Sequence, residues 1–286
     1  MELTILIVTY KSDSIIENCL SSINKKYPIL VIENSANIEF KKKLEKKYLN
    51  LKCILTGKNL GFGKANNIGL RKIKTKYVFL LNPDTKLKKN TLKFILHYAK
   101  KIENFALLAP LLLNSKDINY GFFDTKKKIS LNKNNDFFQV DYIKGFAMFF
   151  NKNKFKKINF FDENIFMYLE EIDLCKRIKN QRENIYIIKK AKIIHYGAKS
   201  HNSIYNDKME LSRNWHWMWS KFYYKKKHDG IFFAYIDTLF DFIKNFIKLN
   251  CYFFFNKKKF LICKSRFDGL LQSYLNKKSY YRPFGN

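Results

Sequence analysis

The start of the chain alternates between short apolar runs and amphipathic stretches with helical spacing. Unbroken apolar runs, which are typical of strands covered on both faces, predict strands at 3–8, 29–32, 53–55 and 77–81. The helical spacing predicts a first helix introduced by a Ser14-x-x-Glu17 capping box, a second at about 39–48, and a third that is opened by Asn59-Leu60-Gly61-Phe62-Gly63 and runs through Ile73. This strand–helix alternation predicts an α/β fold with a parallel sheet.

Polar residues or glycines follow each predicted strand at its carboxyl end. They are Thr9 and Tyr10, Glu33 and Asn34, the loop Asn59-Leu60-Gly61-Phe62-Gly63, and Asp84. In open parallel sheets, ligands bind beyond the carboxyl ends of the strands. The sequence therefore predicts a ligand site at this edge of the sheet.

The middle of the chain is less regular. Residues 113–139 are polar and predict a mobile loop, and the apolar run at 140–150, with Gly145 inside it, predicts a further strand. Residues 168–177 predict a helix that begins with several acids.

The chain changes character after Ser203. Aromatic residues lead into apolar stretches at 231–249 and 252–255, with lysine clusters at 225–227 and 257–259. No uninterrupted apolar run reaches the roughly 18–20 residues of a spanning helix. An amphipathic segment lying in a membrane interface fits better. The sequence thus predicts a main domain at 1–203 and a helical, basic and aromatic, membrane-associating extension at 204–286.

The charge of +31 over 286 residues raises the alternative of a nucleic-acid-binding protein. However, only six of the 55 basic residues are arginine, the residue favoured for forked phosphate and base recognition. Attraction of the lysines to anionic lipid is the simpler interpretation. Five cysteines without a CxxC pair, and an N-terminus without a basic leader, predict a reducing cytoplasmic location.

Three features are candidates for chemistry. Asp84 follows Pro83 at a predicted strand tip, where a carboxylate suits a hard divalent cation, although Asn-Pro-Asp-Thr is also ordinary turn chemistry. Glu170, Glu171 and Asp173 lie within one helical turn among apolar neighbours and are candidates for a general base, while the alternative is a solvated face with an Asp173–Arg177 pair. His195 ends an apolar run, where a structural histidine is the commoner outcome.

Taken in order, these motifs resemble family 2 glycosyltransferases, in particular the rhamnosyltransferase-like group that builds O-antigen and other bacterial surface glycans. The resemblance covers 1–203 and is carried by residues 7–12, 31–35, 59–63 with Asn66 and Gly69, 80–84, 161–163, 166–177, and His195 with Gly197. It implies a GT-A-like fold: a Rossmann-type mixed central sheet flanked by helices, here followed by a helical amphipathic C-terminal extension. It also implies a nucleoside-diphosphate sugar donor, a divalent metal (Mn²⁺ or Mg²⁺) and inversion at the anomeric carbon.

The resemblance assigns roles residue by residue. Donor-binding residues would be Thr9, Tyr10, Glu33, Asn34, Asn59, Gly61, Phe62, Gly63, Asn66, Asn82 and Asp84. Metal ligands would be Asp84 and His195. The catalytic base would be Glu171, with Glu170 or Asp173 as substitutes.

Three positions depart from the family pattern. Glu33 and Glu171 stand where the family usually has aspartate, and Asn82 replaces the first acid of the DxD-type motif. An extra methylene at the base can shift its carboxylate by about an ångström, a displacement that can cost roughly 10²-fold in rate.

The sequence therefore predicts a metal-dependent hexosyl or deoxyhexosyl transferase. It would act on a hydroxyl of a lipid-linked saccharide acceptor, peripherally at the inner face of the cell membrane and without a nucleic-acid partner. The alternatives are a non-catalytic nucleotide-sugar-binding protein and a basic membrane- or polyanion-binding protein.

Overall fold

The computed structural model describes residues 2–113, 118–124, 126, 135–197 and 206–282. The chain divides into two compact units, Met1–Phe161 with Glu171–Asn202, and Asp162–Glu170 with Ser203–Asn286. The second unit thus combines the C-terminal part of the chain with a short segment from its middle.

The described strands are β1 (Leu3–Thr9), β2 (Ile29–Glu33), β3 (Leu51–Leu55), β4 (Tyr77–Leu81), β5 (Thr85–Leu87), β6 (Leu107–Leu112), β7 (Tyr120–Gly121), β8 (Phe137–Val140), β9 (Tyr142–Ile143), β10 (Ala147–Asn151) and β11 (Ile185–His195). The described helices are α1 (Ile16–Ser21), α2 (Ile38–Lys47), α3 (Phe62–Lys72), α4 (Thr91–Lys101), α5 (Phe155–Ile158), α6 (Glu170–Asn180), α7 (Asn206–Asp229), α8 (Ile231–Phe255) and α9 (Lys257–Tyr274), with a 3₁₀ turn at Lys152–Lys154.

A mixed sheet forms the centre of the first unit. Its strand order is β3-β2-β1-β4-β10-β6-β11-β5, with β8 paired to β11, while β7 and β9 form a separate two-stranded sheet. Strands β1 to β4 run parallel, as their apolar runs predict, and β10 lies antiparallel between β4 and β6. The predicted mixed α/β architecture is confirmed.

Both faces of this sheet are covered by helices, which explains why its strands have unbroken apolar runs. Successive residues of β1 face opposite ways: Ile5 and Ile7 pack into one apolar cluster with residues of α1, α2 and α4, and Leu6 packs into the other. That second cluster contains residues of α3, α5 and α6. The helices therefore follow from the need to cover two apolar faces.

The predicted capping box at the start of α1 is wrong. The helix begins at Ile16, and no side chain caps its N-terminus. The carbonyl of Ser12 instead accepts the backbone N–H groups of Ile15 and Ile16 at 3.0 and 3.2 Å. A turn that begins two residues before Ser14 thus satisfies these amides.

The single strand predicted at 140–150 is also wrong, because this apolar run is divided among three strands with different partners. β8 pairs with β11, β9 with β7, and β10 with β4 and β6, which leaves Gly145 in a connection. The mobile loop predicted at 113–139 contains β7 and the start of β8; its residues 114–117, 125 and 127–134 lie outside the described part of the chain.

In the second unit, α7, α8 and α9 pack around a small apolar core of Met218, Phe222, Ala234 and Leu270. The two apolar stretches predicted at 231–249 and 252–255 are one continuous helix, α8. A Cβ atom added at Gly269 of α9 would lie 2.2 Å from the Trp215 carbonyl oxygen of α7, so these two backbones approach very closely. No described helix is long and apolar enough to cross a bilayer.

Candidate active site

Asp84 and His195 lie together at one end of the sheet. Asp84 immediately precedes β5, and His195 is the last residue of β11, which pairs with β5 so that Thr85 lies opposite His195. The Asp84 side chain is 2% exposed, and its Oδ1 lies 3.4 Å from His195 Nε2. The two residues predicted as metal ligands are therefore neighbours in space.

Phe146 fixes the orientation of the His195 ring. The two rings stack with centroids 4.2 Å apart and an angle of 15° between their planes. The Phe146 carbonyl also accepts the backbone N–H of Asn82 at 2.9 Å, which ties this connection to the end of β4.

Glu171 lies beside Gly145, the residue before Phe146. A Cβ atom added at Gly145 would lie 3.4 Å from Glu171 Cβ and 3.7 Å from Phe62 Cε1. The connection of Gly145 and Phe146 thus contacts the candidate base on one side and His195 on the other. Contacts through His195, Phe146 and Gly145 therefore link Asp84 to Glu171.

The acids at the start of α6 have different surroundings. Burial raises the pKa of Glu171, although two backbone N–H groups and the charge of Lys144 oppose this effect. Asp173 is fully buried, and its Oδ2 accepts a hydrogen bond from Arg177 Nε at 2.9 Å. Glu170 is 6% exposed and is the last residue of the segment that belongs to the second unit.

Arg177 connects Asp173 to the backbone before the acidic segment. Its guanidinium donates to the carbonyl oxygens of Ile158, Asn159 and Phe160 at 2.6, 3.2 and 2.5 Å. The Asp173–Arg177 ion pair, which was the alternative to a catalytic role for Asp173, is present in the structure. It favours a structural role for this carboxylate.

Glu33 ends β2 beside the end of β1, where Thr9 is its register partner. Glu33 Oε2 accepts from Thr9 Oγ1 at 2.6 Å, and Oε1 accepts from Ser35 Oγ at 2.5 Å. Burial raises the pKa of Glu33 even though both hydrogen bonds favour its charged form. Two hydroxyl groups therefore hold this predicted donor-binding carboxylate in place.

Asn34 braces the loop that leads into α3. Its Nδ2 donates to Asn59 Oδ1 at 2.9 Å, and its Oδ1 accepts the backbone N–H of Leu60 at 2.9 Å. Asn59 Oδ1 also accepts from the backbone N–H of Gly61 at 3.0 Å. Gly61 has φ 85°, a left-handed conformation that favours glycine at the start of this helix.

The remaining predicted donor-binding residues lie along the same end of the sheet. Tyr10 follows β1, and Asn82 is half-buried after β4. Gly63 and Asn66 are buried in α3, where Asn66 Nδ2 donates to the Phe62 carbonyl at 3.0 Å. Among the described residues, Asn66 Oδ1 has no hydrogen-bond donor, so it is an oriented but unused acceptor.

The residues around Asp84 fit a divalent cation. Within the described ranges, Asp84 Oδ1 has no hydrogen-bond donor, and no group of three or more His, Cys, Asp or Glu side chains is placed to hold a metal. Two ligands bound at about 2.1 Å to one ion lie roughly 3.0–3.5 Å apart, which matches the Asp84–His195 separation. Such an ion would take its other ligands from water or from oxygen atoms of a bound ligand.

Several residues of the site had no distinguishing signal in the sequence. Phe146 and Ser35 orient His195 and Glu33, but a phenylalanine in an apolar run and a serine after a strand are ordinary. Asn67 of α3 donates to the Phe161 carbonyl at 2.9 Å and accepts the Phe161 N–H at 3.0 Å. These two bonds fix Phe161 to α3. Gly145 had a signal, since glycine inside a predicted strand often marks a close approach.

The segment Asp162–Glu170 is held by the helices of its own unit. Asp162 Oδ2 accepts from Lys227 Nζ at 2.6 Å and from Tyr223 Oη at 3.0 Å. Although burial alone would raise the pKa of Asp162, these bonds together with the Asn164 backbone N–H keep it below its ordinary value. Ser220 Oγ donates to the Met167 carbonyl at 2.8 Å.

The last residues before α6 have a left-handed backbone. Tyr168 and Leu169 have φ of 69° and 66°. This conformation costs a residue with a side chain roughly 1–2 kcal/mol. The segment Asp162–Glu170 therefore contains a strained turn near its end.

Comparison with known proteins shows the family. Residues 4–159 match the family described as Glycosyl transferase family 2, more than half of the chain, and the protein belongs to this family. The fold is the GT-A type that the motifs implied.

Two curated relatives are similar to this chain. The low-salt glycan biosynthesis hexosyltransferase Agl10 of Haloferax volcanii is 30% identical over 200 residues, covering 65% of this chain and 64% of its own length. The chain therefore spans just under two thirds of that relative. Rhamnosyltransferase WbbL of Escherichia coli strain K12 is 26% identical over 229 residues, covering 71% of this chain and 86% of its own length.

Solved structures share the fold at low sequence identity. A mannosyltransferase from Pyrobaculum calidifontis, in complex with GDP-Man and Mn²⁺, has a TM-score of 0.59 at 9% identity, covering 97% of this chain and 88% of that one. S. aureus TarS 1–349, solved with UDP-GlcNAc, has a TM-score of 0.55 at 14% identity, covering 99% and 93%.

Proposed function

We propose that this protein is an inverting glycosyltransferase that moves a hexosyl or deoxyhexosyl group from a nucleoside-diphosphate sugar to an acceptor hydroxyl in surface-glycan synthesis. The proposal depends on three contacts. Asp84 lies beside His195, His195 stacks on Phe146, and Gly145, the residue before Phe146, lies beside Glu171. These contacts link the two residues proposed to hold the metal to a carboxylate whose pKa is raised by burial.

Each group of residues has one task in this proposal. Thr9, Glu33 and Asn34 hold the nucleoside, with the Glu33 carboxylate already oriented by two hydroxyl groups. The loop at Asn59–Gly63 positions the N-terminus of α3 next to the diphosphate, because helix N-termini favour bound phosphate. Asp84 and His195 would hold Mn²⁺ or Mg²⁺, whose chemistry there is to neutralise charge on the leaving diphosphate.

Glu171 is the proposed base. Its carboxylate takes the proton of the acceptor hydroxyl while that oxygen attacks the anomeric carbon on the face opposite the diphosphate. The new bond is between acceptor oxygen and anomeric carbon, and the bond broken is between that carbon and the diphosphate oxygen. A raised pKa suits this task, because a base works best when its pKa is near the working pH.

The proposed acceptor is a lipid-linked saccharide at the inner face of the membrane. The names of the two curated relatives, a glycan-biosynthesis hexosyltransferase and a rhamnosyltransferase, support a glycan acceptor. The lysine-rich and aromatic C-terminal helices support its presentation from a membrane.

The test combines nucleotide binding with turnover. Thermal shifts with UDP-, GDP- and dTDP-sugars, with and without Mn²⁺, identify the nucleotide, and release of the nucleoside diphosphate measures turnover. We expect Glu171→Gln to keep the Mn²⁺-dependent shift and to lose about 10²–10⁴-fold in turnover. Asp84→Asn should lose the Mn²⁺-dependent shift itself.

Glu103→Gln, at an exposed acid of the first unit, is the matched control and should retain both properties. Full turnover by Glu171→Gln would exclude the assigned base. Binding without turnover in the unmodified protein would favour a non-catalytic nucleotide-sugar-binding protein. Binding of polyanions that survives Asp84→Asn, without any nucleotide shift, would favour a basic polyanion-binding protein.

A further inference from the structure

One side of α8 is apolar and faces solvent. We call Phe232, Ile236, Leu239, Phe240, Ile243 and Ile247 the outer face. Their spacing of three or four residues places them on one side of the helix. Between 47% and 73% of each side chain is exposed. Contiguous apolar surface of this kind marks an interaction site in soluble proteins.

The opposite side of α8 already forms the core of its unit. Ala234, Thr238 and Asn245 are buried, and Thr238 Oγ1 lies 2.9 Å from Tyr274 Oη of α9. A helix on the surface of a folded unit normally has its polar side outward. In α8 the apolar side faces outward instead. Packing inside the unit therefore does not explain why the outer face is apolar.

The charges around the outer face are positive. Exposed Lys244 and Lys248 lie on its flank, and the lysine cluster 257–259 follows at the end of the helix. The acids of α8 are already paired within the unit: Asp241 lies 2.8 Å and Asp237 3.6 Å from Lys221 of α7. An approaching surface therefore meets lysine charge beside apolar side chains.

This combination identifies the partner. A second copy of the chain would bring lysines against lysines, since each copy has a net charge of +31. An anionic bilayer satisfies both features, because its headgroups attract lysine and its acyl chains accept aromatic and aliphatic side chains. No described helix can cross the bilayer, which leaves α8 lying along it.

We propose that the outer face of α8 docks the protein on an anionic lipid surface, with α8 parallel to the membrane plane. The proposal rests on the proposed function, since it names the surface from which a lipid-linked acceptor would be reached. The inserted side chains are those of the outer face, and Lys244 and Lys248 lie at headgroup level.

The test uses the full chain and vesicles of phosphatidylcholine, alone or mixed with phosphatidylglycerol. We expect co-sedimentation with the mixed vesicles, weakened by salt, and little with phosphatidylcholine alone. Phe240→Asp with Ile243→Asp should weaken binding by roughly tenfold or more. Lys244→Glu with Lys248→Glu should weaken it by at least roughly fivefold for each lysine. Leu49→Asp is the matched control, since Leu49 is 99% exposed in the first unit.

A second readout uses the native thiol on the same helix. Cys251 is exposed, whereas the other four cysteines are buried. An environment-sensitive dye attached there should shift its emission to shorter wavelength when phosphatidylglycerol vesicles are added. The dye distinguishes docking through α8 from attraction of lysines elsewhere in the chain.

Three outcomes would overturn the proposal: unchanged vesicle binding by the outer-face variant, an unchanged dye spectrum, or a dimer in solution that the same variant converts to a monomer. Donor turnover without vesicles separates this proposal from the function. If the outer-face variant loses vesicle binding but keeps turnover, the docking proposal is supported. If the unmodified protein binds vesicles through α8 but shows no turnover, only the proposed function is refuted.

Discussion

His216 makes the stability of the second unit depend on pH. The ring is fully buried, with Nδ1 2.9 Å from Ser279 Oγ and Nε2 2.9 Å from the Tyr281 carbonyl oxygen. A neutral ring satisfies both contacts, because Nε2–H donates to the carbonyl and Nδ1 accepts the hydroxyl. Burial, and next to it the charge of Arg282, lowers the pKa to about 3 from 6.5, although the bond to Tyr281 opposes this shift.

The sign of the effect follows from proton binding. In the unfolded chain the imidazole takes up a proton near pH 6.5, whereas in the folded chain it stays neutral down to about pH 3. The unfolded state binds more protons in this window, so stability is present above pH 6.5 and is lost as the pH falls. Below pH 6.5, each pH unit lowers the free energy of unfolding by about 1.4 kcal/mol, so about 2 kcal/mol is lost at pH 5.

The assay is urea unfolding at pH 7 and pH 5, followed by tryptophan fluorescence. All three tryptophans of the chain, Trp215, Trp217 and Trp219, lie on α7, so the signal reports the second unit. We expect His216→Gln to be less stable at pH 7 but to lose about 2 kcal/mol less between pH 7 and pH 5. His97→Gln, at an exposed histidine of α4, should behave as the unmodified chain. Equal pH dependence in all three proteins would refute the reasoning.

Other predictions concern packing, thiol reactivity and catalysis. Gly269→Ala should destabilise the second unit by about 2–3 kcal/mol in urea unfolding, because the α7 backbone blocks the new methyl group. Gly145→Ala should change stability by less than about 1 kcal/mol, since its nearest contact is 3.4 Å. A thiol reagent at pH 8 should label Cys251 alone, because the other four thiols are buried and burial raises the pKa of three of them, Cys19, Cys53 and Cys175, to about 12. Turnover should fall about tenfold per pH unit below the raised pKa of Glu171, and that dependence should be absent in Glu171→Gln.

The four parallel strands could be predicted because burial on both faces leaves an unbroken apolar run in the sequence. The placement of Asp84 and His195 at strand ends followed from the same runs. Their separation of 3.4 Å could not be predicted, since it depends on the antiparallel pairing of β5 with β11. Periodicity identifies a strand but not its partner.

The apolar run at 140–150 also shows that strand partners cannot be predicted from apolar runs. Its residues have the composition of one strand, yet they belong to three strands with different partners. The false capping box had a similar cause, because backbone hydrogen bonds to Ser12 took the place of the expected side-chain cap.

The grouping of Asp162–Glu170 with the C-terminal helices has a consequence for recombining this protein with its relatives. A chimaera joined only near residue 203 would pair foreign helices with the native Asp162, Phe166 and Met167, whose partners are Lys227, Arg282 and Ser220. Exchange of the C-terminal helices therefore requires two crossovers, so that this nine-residue stretch is inherited together with the helices that hold it.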